Sequence, residues 1–111
     1  MAFQDMLSAY QAGERETLLP TLDRAVQAGT ADPRVWHLHG LVLRELDRRD
    51  RALPSLRTAA SMAPGSAKIA HALAGTLLEA GLPSVDAVGR ALQLAPGDRE
   101  VVTGLTAAFV A

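Results

Sequence analysis

The stretches LLPTLDRA, Leu18 to Ala25, and ALPSLRTA, Ala52 to Ala59, align without a gap at an offset of 34 residues. Leu19 pairs with Leu53, Pro20 with Pro54, Thr21 with Ser55, Leu22 with Leu56 and Ala25 with Ala59. Agreement this dense is a repeat rather than chance. The same offset carries Arg34 to Lys68, His37 to His71 and Glu45 to Glu79. A second echo, MAPG at Met62 to Gly65 and LAPG at Leu94 to Gly97, comes at 32 residues. A two-residue deletion therefore lies between, at the short turn GLPS, Gly81 to Ser84.

Each unit holds two helical stretches. Trp36, Leu38, Gly40, Leu41, Leu43 and Leu46 have helical spacing; the charged DRRD at Asp47 to Asp50 interrupts them before Ala52, Leu53, Leu56, Ala59, Ala60 and Ala63 resume it. Asp32 and Pro33 form a capping pair, while Pro20, Pro54 and Pro83 are expected in or beside a first turn, where a missing N–H costs least. Gly13, Gly29, Gly65, Gly81 and Gly97 fall between helices or after their ends. The pattern predicts an all-α chain of about seven helices, near 2–12, 16–28, 33–46, 51–62, 66–80, 84–94 and 98–110. Its units fall near 1–32, 33–66 and 67–98, in one domain spanning 1–111 with one continuous aliphatic core.

Composition agrees. The 111 residues are 49% apolar but only 4% aromatic, so the core must be built from small and aliphatic side chains, as when helix packs on helix. Eleven basic and twelve acidic residues leave a net charge of -1, which gives no general attraction to nucleic acid or to an anionic membrane. The chain has no cysteine, hence no disulfide, thiolate nucleophile or thiolate zinc site, and it suits a reducing cytoplasm. Asp5 interrupts what would be the apolar run of a signal peptide, and no apolar run approaches ~18 residues. A soluble, cytoplasmic protein is expected.

These residues resemble the tetratricopeptide repeat, whose pattern sets Trp, Leu-Gly and Tyr on a first helix and Ala, an aromatic and Pro on a second. Here the matching places are Trp36, His39, Gly40, Leu43, Ala52, Leu56 and Pro64, with Ala59 at a small position. The next unit offers Ala70, Leu73, Ala74, Leu77, Ser84, Val88, Ala91 and Pro96; the first matches in its second helix, while Ala2 and Met6 replace Trp and Gly. The resemblance implies a right-handed superhelical stack of antiparallel helix hairpins. The C-terminal context also resembles repeat segments that precede iron/2-oxoglutarate oxygenase or sulfotransferase domains in bacterial proteins. None of those catalytic portions could reside in this chain.

VWHLHG, Val35 to Gly40, has two readings, a chemical site or a packing element. Residues two apart on a helix point about 200° away from each other, so His37 and His39 do not share one metal or proton relay. Trp36 and Gly40, four apart, share a face on which the bare glycine admits a neighbouring helix and the indole fills the gap beside it. His39 falls on that stripe where the family has Leu, and is expected to be a partly buried imidazole bonded to a backbone carbonyl or a charged neighbour. No serine, cysteine or carboxylate is expected beside it for catalysis.

His37 and His71 recur with the period. In the resembled family the first helices line a concave groove, and Arg34, His37, Leu41 and Arg44 form one stripe, with Lys68, His71 and Leu78 on the next. Phe3, Leu7 and Tyr10 extend it towards the N-terminus. The bland reading is ordinary exposed polar residues; the functional one is a mildly basic peptide groove that favours an acidic partner. A metal between His37 and His71 is disfavoured, because two imidazoles without a carboxylate make a poor site. No cofactor is expected. The absence of asparagine argues against the paired Lys and Asn clamp that some family members use for chaperone tails. The run LDRRDR, Leu46 to Arg51, reads as a solvated connection in which Asp50 caps the following helix.

Two functions are open at this point. One is a non-catalytic module for protein–protein interaction or oligomerisation; the other is the N-terminal arm of a larger enzyme, serving dimerisation or substrate positioning. In the last stretch, Val101, Leu105 and Phe109 follow at four-residue spacing with no charged side chain after Glu100. Arrays normally end on a polar face. Val102, Leu105, Phe109 and Val110 are therefore expected to form a self-association surface in a homodimer, unless the natural chain continues.

Overall fold

A computed structural model of the protein describes residues 2–94. They form α1 (Phe3–Gln11), α2 (Arg15–Gln27), α3 (Pro33–Glu45), α4 (Arg49–Met62), α5 (Ala67–Glu79) and α6 (Val85–Leu94), with no strand among the described residues. The helix expected near 98–110, and with it Val102, Leu105, Phe109 and Val110, lies outside the described residues.

The repeat is visible in the backbone. Gly13, Asp47 and Gly81, spaced by 34, turn the chain after α1, α3 and α5 with φ of +83°, +62° and +69°. Behind each, an amide reaches back to the last turn: Glu14 to the Ala9 carbonyl, Arg48 to that of Leu43 and Leu82 to that of Leu77, at 3.0, 2.8 and 3.0 Å. This is the six-to-one closure that satisfies otherwise orphaned helix carbonyls. It sets each second helix antiparallel to its first.

At the helix starts the expectations hold in part. Asp32 caps α3 by accepting from the Arg34 amide at 3.0 Å, with Pro33 next in the first turn. Asp50 is not a cap: α4 begins at Arg49, inside the charged run, so Asp50 sits in the first turn, where its charge suits the helix dipole. Pro20 and Pro54 lie deeper than expected, at the sixth residue of α2 and α4. Each removes one interior hydrogen bond, and both are exposed, so the freed carbonyl can turn to water.

Among the described residues two clusters of buried side chains stand out, and Leu53, Leu56, Ala59, Ile69 and Leu77 are buried as well. The larger joins Met6 of α1, Leu18, Leu19 and Leu22 of α2, Val35, Leu38, Val42 and Leu43 of α3, and Ala52 of α4. The smaller joins Ala70 and Ala74 of α5 to Val88 and Ala91 of α6. Between α3 and α4, a Cβ placed on Gly40 would lie 2.5 Å from Leu56 Cγ and 3.4 Å from the Ala52 carbonyl oxygen. The glycine is what lets α4 come so close. Trp36, by contrast, is only half-buried, and its indole N–H donates to the Thr30 carbonyl at 2.8 Å, tying α3 to the loop before it.

Helices pack in chain order, and first helices also touch first helices, α1 with α3 and α3 with α5. Second helices do not: among the described residues no Cα of α2 comes within 8 Å of α4, nor of α4 within 8 Å of α6. A trough therefore runs between each neighbouring pair of second helices, floored by the first helix between them.

Candidate functional site

Along the first helices lies a groove of about 390 Å³ walled by Phe3, Leu7 and Tyr10 of α1, Arg34, His37, Leu38 and Leu41 of α3, and Lys68 and Ile69 of α5, with Ser66 at its edge. Of the candidate groove residues, Arg34, His37, Leu41 and Lys68 share this wall. Ile69, Leu38 and Ser66 escaped sequence reasoning because buried aliphatics and cap residues look alike whether or not a groove runs beside them. Ser66 has a second duty, capping α5 through the Ile69 amide at 3.3 Å.

Arg44, His71 and Leu78 are not part of that wall. Arg44 is withdrawn by a partner: its guanidinium crosses Gly75 and pairs with both oxygens of Glu79. Leu78 packs against the α5–α6 cluster. His71 is half-buried elsewhere on α5.

The charges that remain are unequal. Arg34 lies 4.4 Å over the Phe3 ring while pairing with Asp32 at 2.8 Å, which holds the Asp32 carboxyl below its usual range. Lys68 has no ion-pair partner among the described residues. Burial of the His37 ring, reinforced by the nearby Lys68 charge, pushes the His37 pKa down from 6.5. The groove thus offers an apolar bed, one unpaired ammonium and a half-buried imidazole held towards its neutral form.

At the groove's edge a carboxylate motif repeats. Glu45 accepts from the Tyr10 hydroxyl at 2.9 Å and from Arg15 at 2.6 Å. One unit later Glu79 accepts from Arg44 and Arg49. Tyr10, Arg15 and Glu45 map at 34 residues onto Arg44, Arg49 and Glu79, so each carboxylate clamps the preceding hairpin from the following first helix. Glu79 is held below its usual carboxylate range, by the Arg44 hydrogen bond first.

His39 corrects the expectation that no serine or carboxylate would join it. Its Nδ1 lies 2.6 Å from Ser55 Oγ and its Nε2 2.7 Å from Asp23 Oδ1. Asp23 is an acceptor, so Nε2 carries the proton; Nδ1 then accepts from the serine hydroxyl in the neutral ring. Arg51 closes the arrangement at 3.2 Å from Asp23. The residue types are those of a hydrolytic triad, but Ser55 is 3% and His39 5% exposed, so a substrate carbonyl has no path to the hydroxyl. The set is a buried clasp. It bridges the trough between α2 and α4 across α3, where the backbones themselves do not meet.

A stack of antiparallel helix pairs with a groove along the first helices defines a helical-repeat protein. The fold is that of the tetratricopeptide repeat, as the resemblance implied. It is shared with YrrB, a tetratricopeptide-repeat protein with an unusual peptide-binding site, at a TM-score of 0.84 and 15% identity over 95% of this chain and 55% of that one. The chain thus spans about half the length of that protein. The type III secretion translocator chaperone SycD of Yersinia enterocolitica matches at 0.82 and 19% identity, over 97% of this chain and 81% of that one. SycD in complex with a peptide of the translocator YopD matches at 0.81, again 19% identical, covering 97% and 89%. At these identities the likeness is one of fold. No protein-family model matches the chain, and no curated protein matches it in sequence. None of the three structures is described as an oxygenase or sulfotransferase, so the enzyme-arm reading has no support from them. No helix among the described residues is long and apolar enough to cross a membrane.

Proposed function

We propose that the chain is a non-catalytic interaction module that holds an extended protein segment in the groove along α1, α3 and α5. One observation carries this reading: an apolar bed from three successive first helices, with Lys68 unpaired among the described residues on its wall. A segment laid there buries aliphatic or aromatic side chains on Phe3, Leu7, Leu41 and Ile69 and offers a carboxylate to Lys68. That combination of apolar anchors and a few placed polar groups is what ligand grooves provide. SycD, of the same fold, has been seen with a peptide of the translocator YopD, which supports a peptide partner here.

The test is selection of twelve-residue peptides on the immobilised full chain, followed by titration of those retained. Retained sequences should combine apolar and acidic residues, and Lys68→Glu should weaken them about tenfold, in keeping with loss of a charge-assisted contact. Affinity unchanged by both Lys68→Glu and Leu41→Asp would remove the groove from the account.

A further inference from the structure

The repeat that places the buried clasp also says what should occupy the same position one unit later. At 34 residues on, Asp23 becomes Arg57 and His39 becomes Leu73; past the two-residue deletion the offset is 32, and Ser55 becomes Ala87. The ring and the hydroxyl have thus given way to apolar side chains, and the carboxylate has been replaced by a cation. The corresponding trough, between α4 and α6 across α5, stands open as a cleft of about 490 Å³. Its wall contains all three of these residues, Arg57, Leu73 and Ala87.

This cleft differs in character from the groove along the first helices. Its floor is aliphatic, from Ala60, Ala70, Leu73 and Ala87, and its volume lies within the range of about 300–1,000 Å³ of clefts that hold ligands. Two guanidiniums stand on it, Arg57 from α4 and Arg90 from α6, and among the described residues no carboxylate belongs to its wall. Arg90 spends one N–H on the Pro64 carbonyl at 2.8 Å, which fixes it beside the cleft with donors to spare. Arg57 is exposed and has no hydrogen-bond or ion-pair partner among the described residues.

We propose that this cleft is a second binding site, for an extended segment of a partner protein that sets acidic side chains between Arg57 and Arg90 and aliphatic ones on Leu73. The occupant supplies from outside what Asp23 and the His39 ring supply from inside to the neighbouring trough: a carboxylate on the rim and a side chain across the floor. Charge complementarity selects the class, since two arginines with no carboxylate beside them among the described residues of the wall disfavour a basic or neutral segment. The cleft meets the groove along α1, α3 and α5 at Ser66, which lines both, while Lys68 belongs to the groove alone and Arg57 and Arg90 to the cleft alone.

The experiment titrates the full chain with a fluorescein-labelled peptide in which two glutamates alternate with leucines in a glycine–serine context, alongside the same peptide with glutamines. The glutamate probe should bind saturably, and Arg57→Glu or Arg90→Glu should weaken it about tenfold, while Lys68→Glu changes it within about twofold. Both arginines are exposed, and a melt of each variant checks that the fold is intact. A triple variant, Arg57→Asp with Leu73→His and Ala87→Ser, refills the trough with the chain's own clasp and should abolish binding without lowering the melting temperature. Equal binding of the glutamine probe, absence of saturable binding, or sensitivity to Lys68→Glu with indifference to Arg57→Glu would each overturn the proposal.

Discussion

His39 stands where the resembled pattern has leucine, yet both of its nitrogens are bonded and neither partner is on its own helix. Truncation to Ala should therefore cost twice over, through the emptied volume and the unpaired Ser55 hydroxyl, about 2–4 kcal/mol in a urea titration. His39→Leu should cost no more than about 1 kcal/mol, because Leu fills the trough, Asp23 faces water, and the Ser55 hydroxyl can bond a carbonyl one turn back on α4. A Leu variant as unstable as the Ala variant would show that the clasp holds more than volume. His37 behaves differently, since folding lowers its pKa below 6.5, by burial first and the Lys68 charge second. The unfolded chain then takes up the proton first as pH falls, so stability is lost from about pH 6.5 downward and levels off once the folded ring is also protonated. Thermal melts across that window should show His37→Gln with a shallower acid slope than the parent. The sequence pointed to a charged neighbour for His39 but not to which residues would meet it, and it gave no sign of the burial of His37. Asp23 and Ser55 each lie 16 residues from His39, on the two flanking second helices, and only packing brings them to one ring. Equal spacing on either side of a polar residue at a core position was the available signal.

At the scale of the helices and their turns, much was legible. Helix existence and order followed from the periodicity, and the described ends fall within two residues of expectation, because glycines, the Asp32 cap and Pro33 mark them locally. What escaped was anything set by the distance between helices. Gly40 was read as a close-approach residue, but the side chain that needs it is Leu56, while the indole of Trp36 is tied to the loop at Thr30. Gly40→Ala should cost about 1–3 kcal/mol, since Leu56 can relieve the contact only by moving α4 or leaving its rotamer. The three left-handed turns give the opposite case. Gly13 and Gly81 adopt positive φ freely, whereas Asp47 does so with a Cβ in the way. Asp47→Gly should raise stability by about 0.5–1 kcal/mol, the exposed pair with Arg49 contributing little against it. A fall in the denaturation midpoint on this change would show that the Asp47 side chain holds the turn. In the groove, Arg44 was misplaced for a similar reason: the wheel put it on the right stripe, but Glu79, 35 residues away, takes it.

At the scale of the whole molecule, neighbouring units are joined among the described residues by apolar packing and by two kinds of polar contact, and the polar contacts differ in whether a copied unit would accept them. The carboxylate clamps are self-compatible: a second copy of residues 33–66 inserted after Ser66 would bring its own Glu45 to the Arg44 and Arg49 of the first. The clasp is not. In that longer chain the copied His39 would meet Arg57 of the preceding unit where it requires Asp23. The insertion should fold, as melts and small-angle scattering can establish, but adding Arg57→Asp to the first copy should stabilise it by about 1–3 kcal/mol. In genetic terms, that insertion is the product of an in-frame duplication of residues 33–66. The duplicated chain would carry a guanidinium against a buried imidazole. The charge reversal between Asp23 and Arg57 would thus penalise a chain that repeats the second unit and leave one that repeats neither untouched.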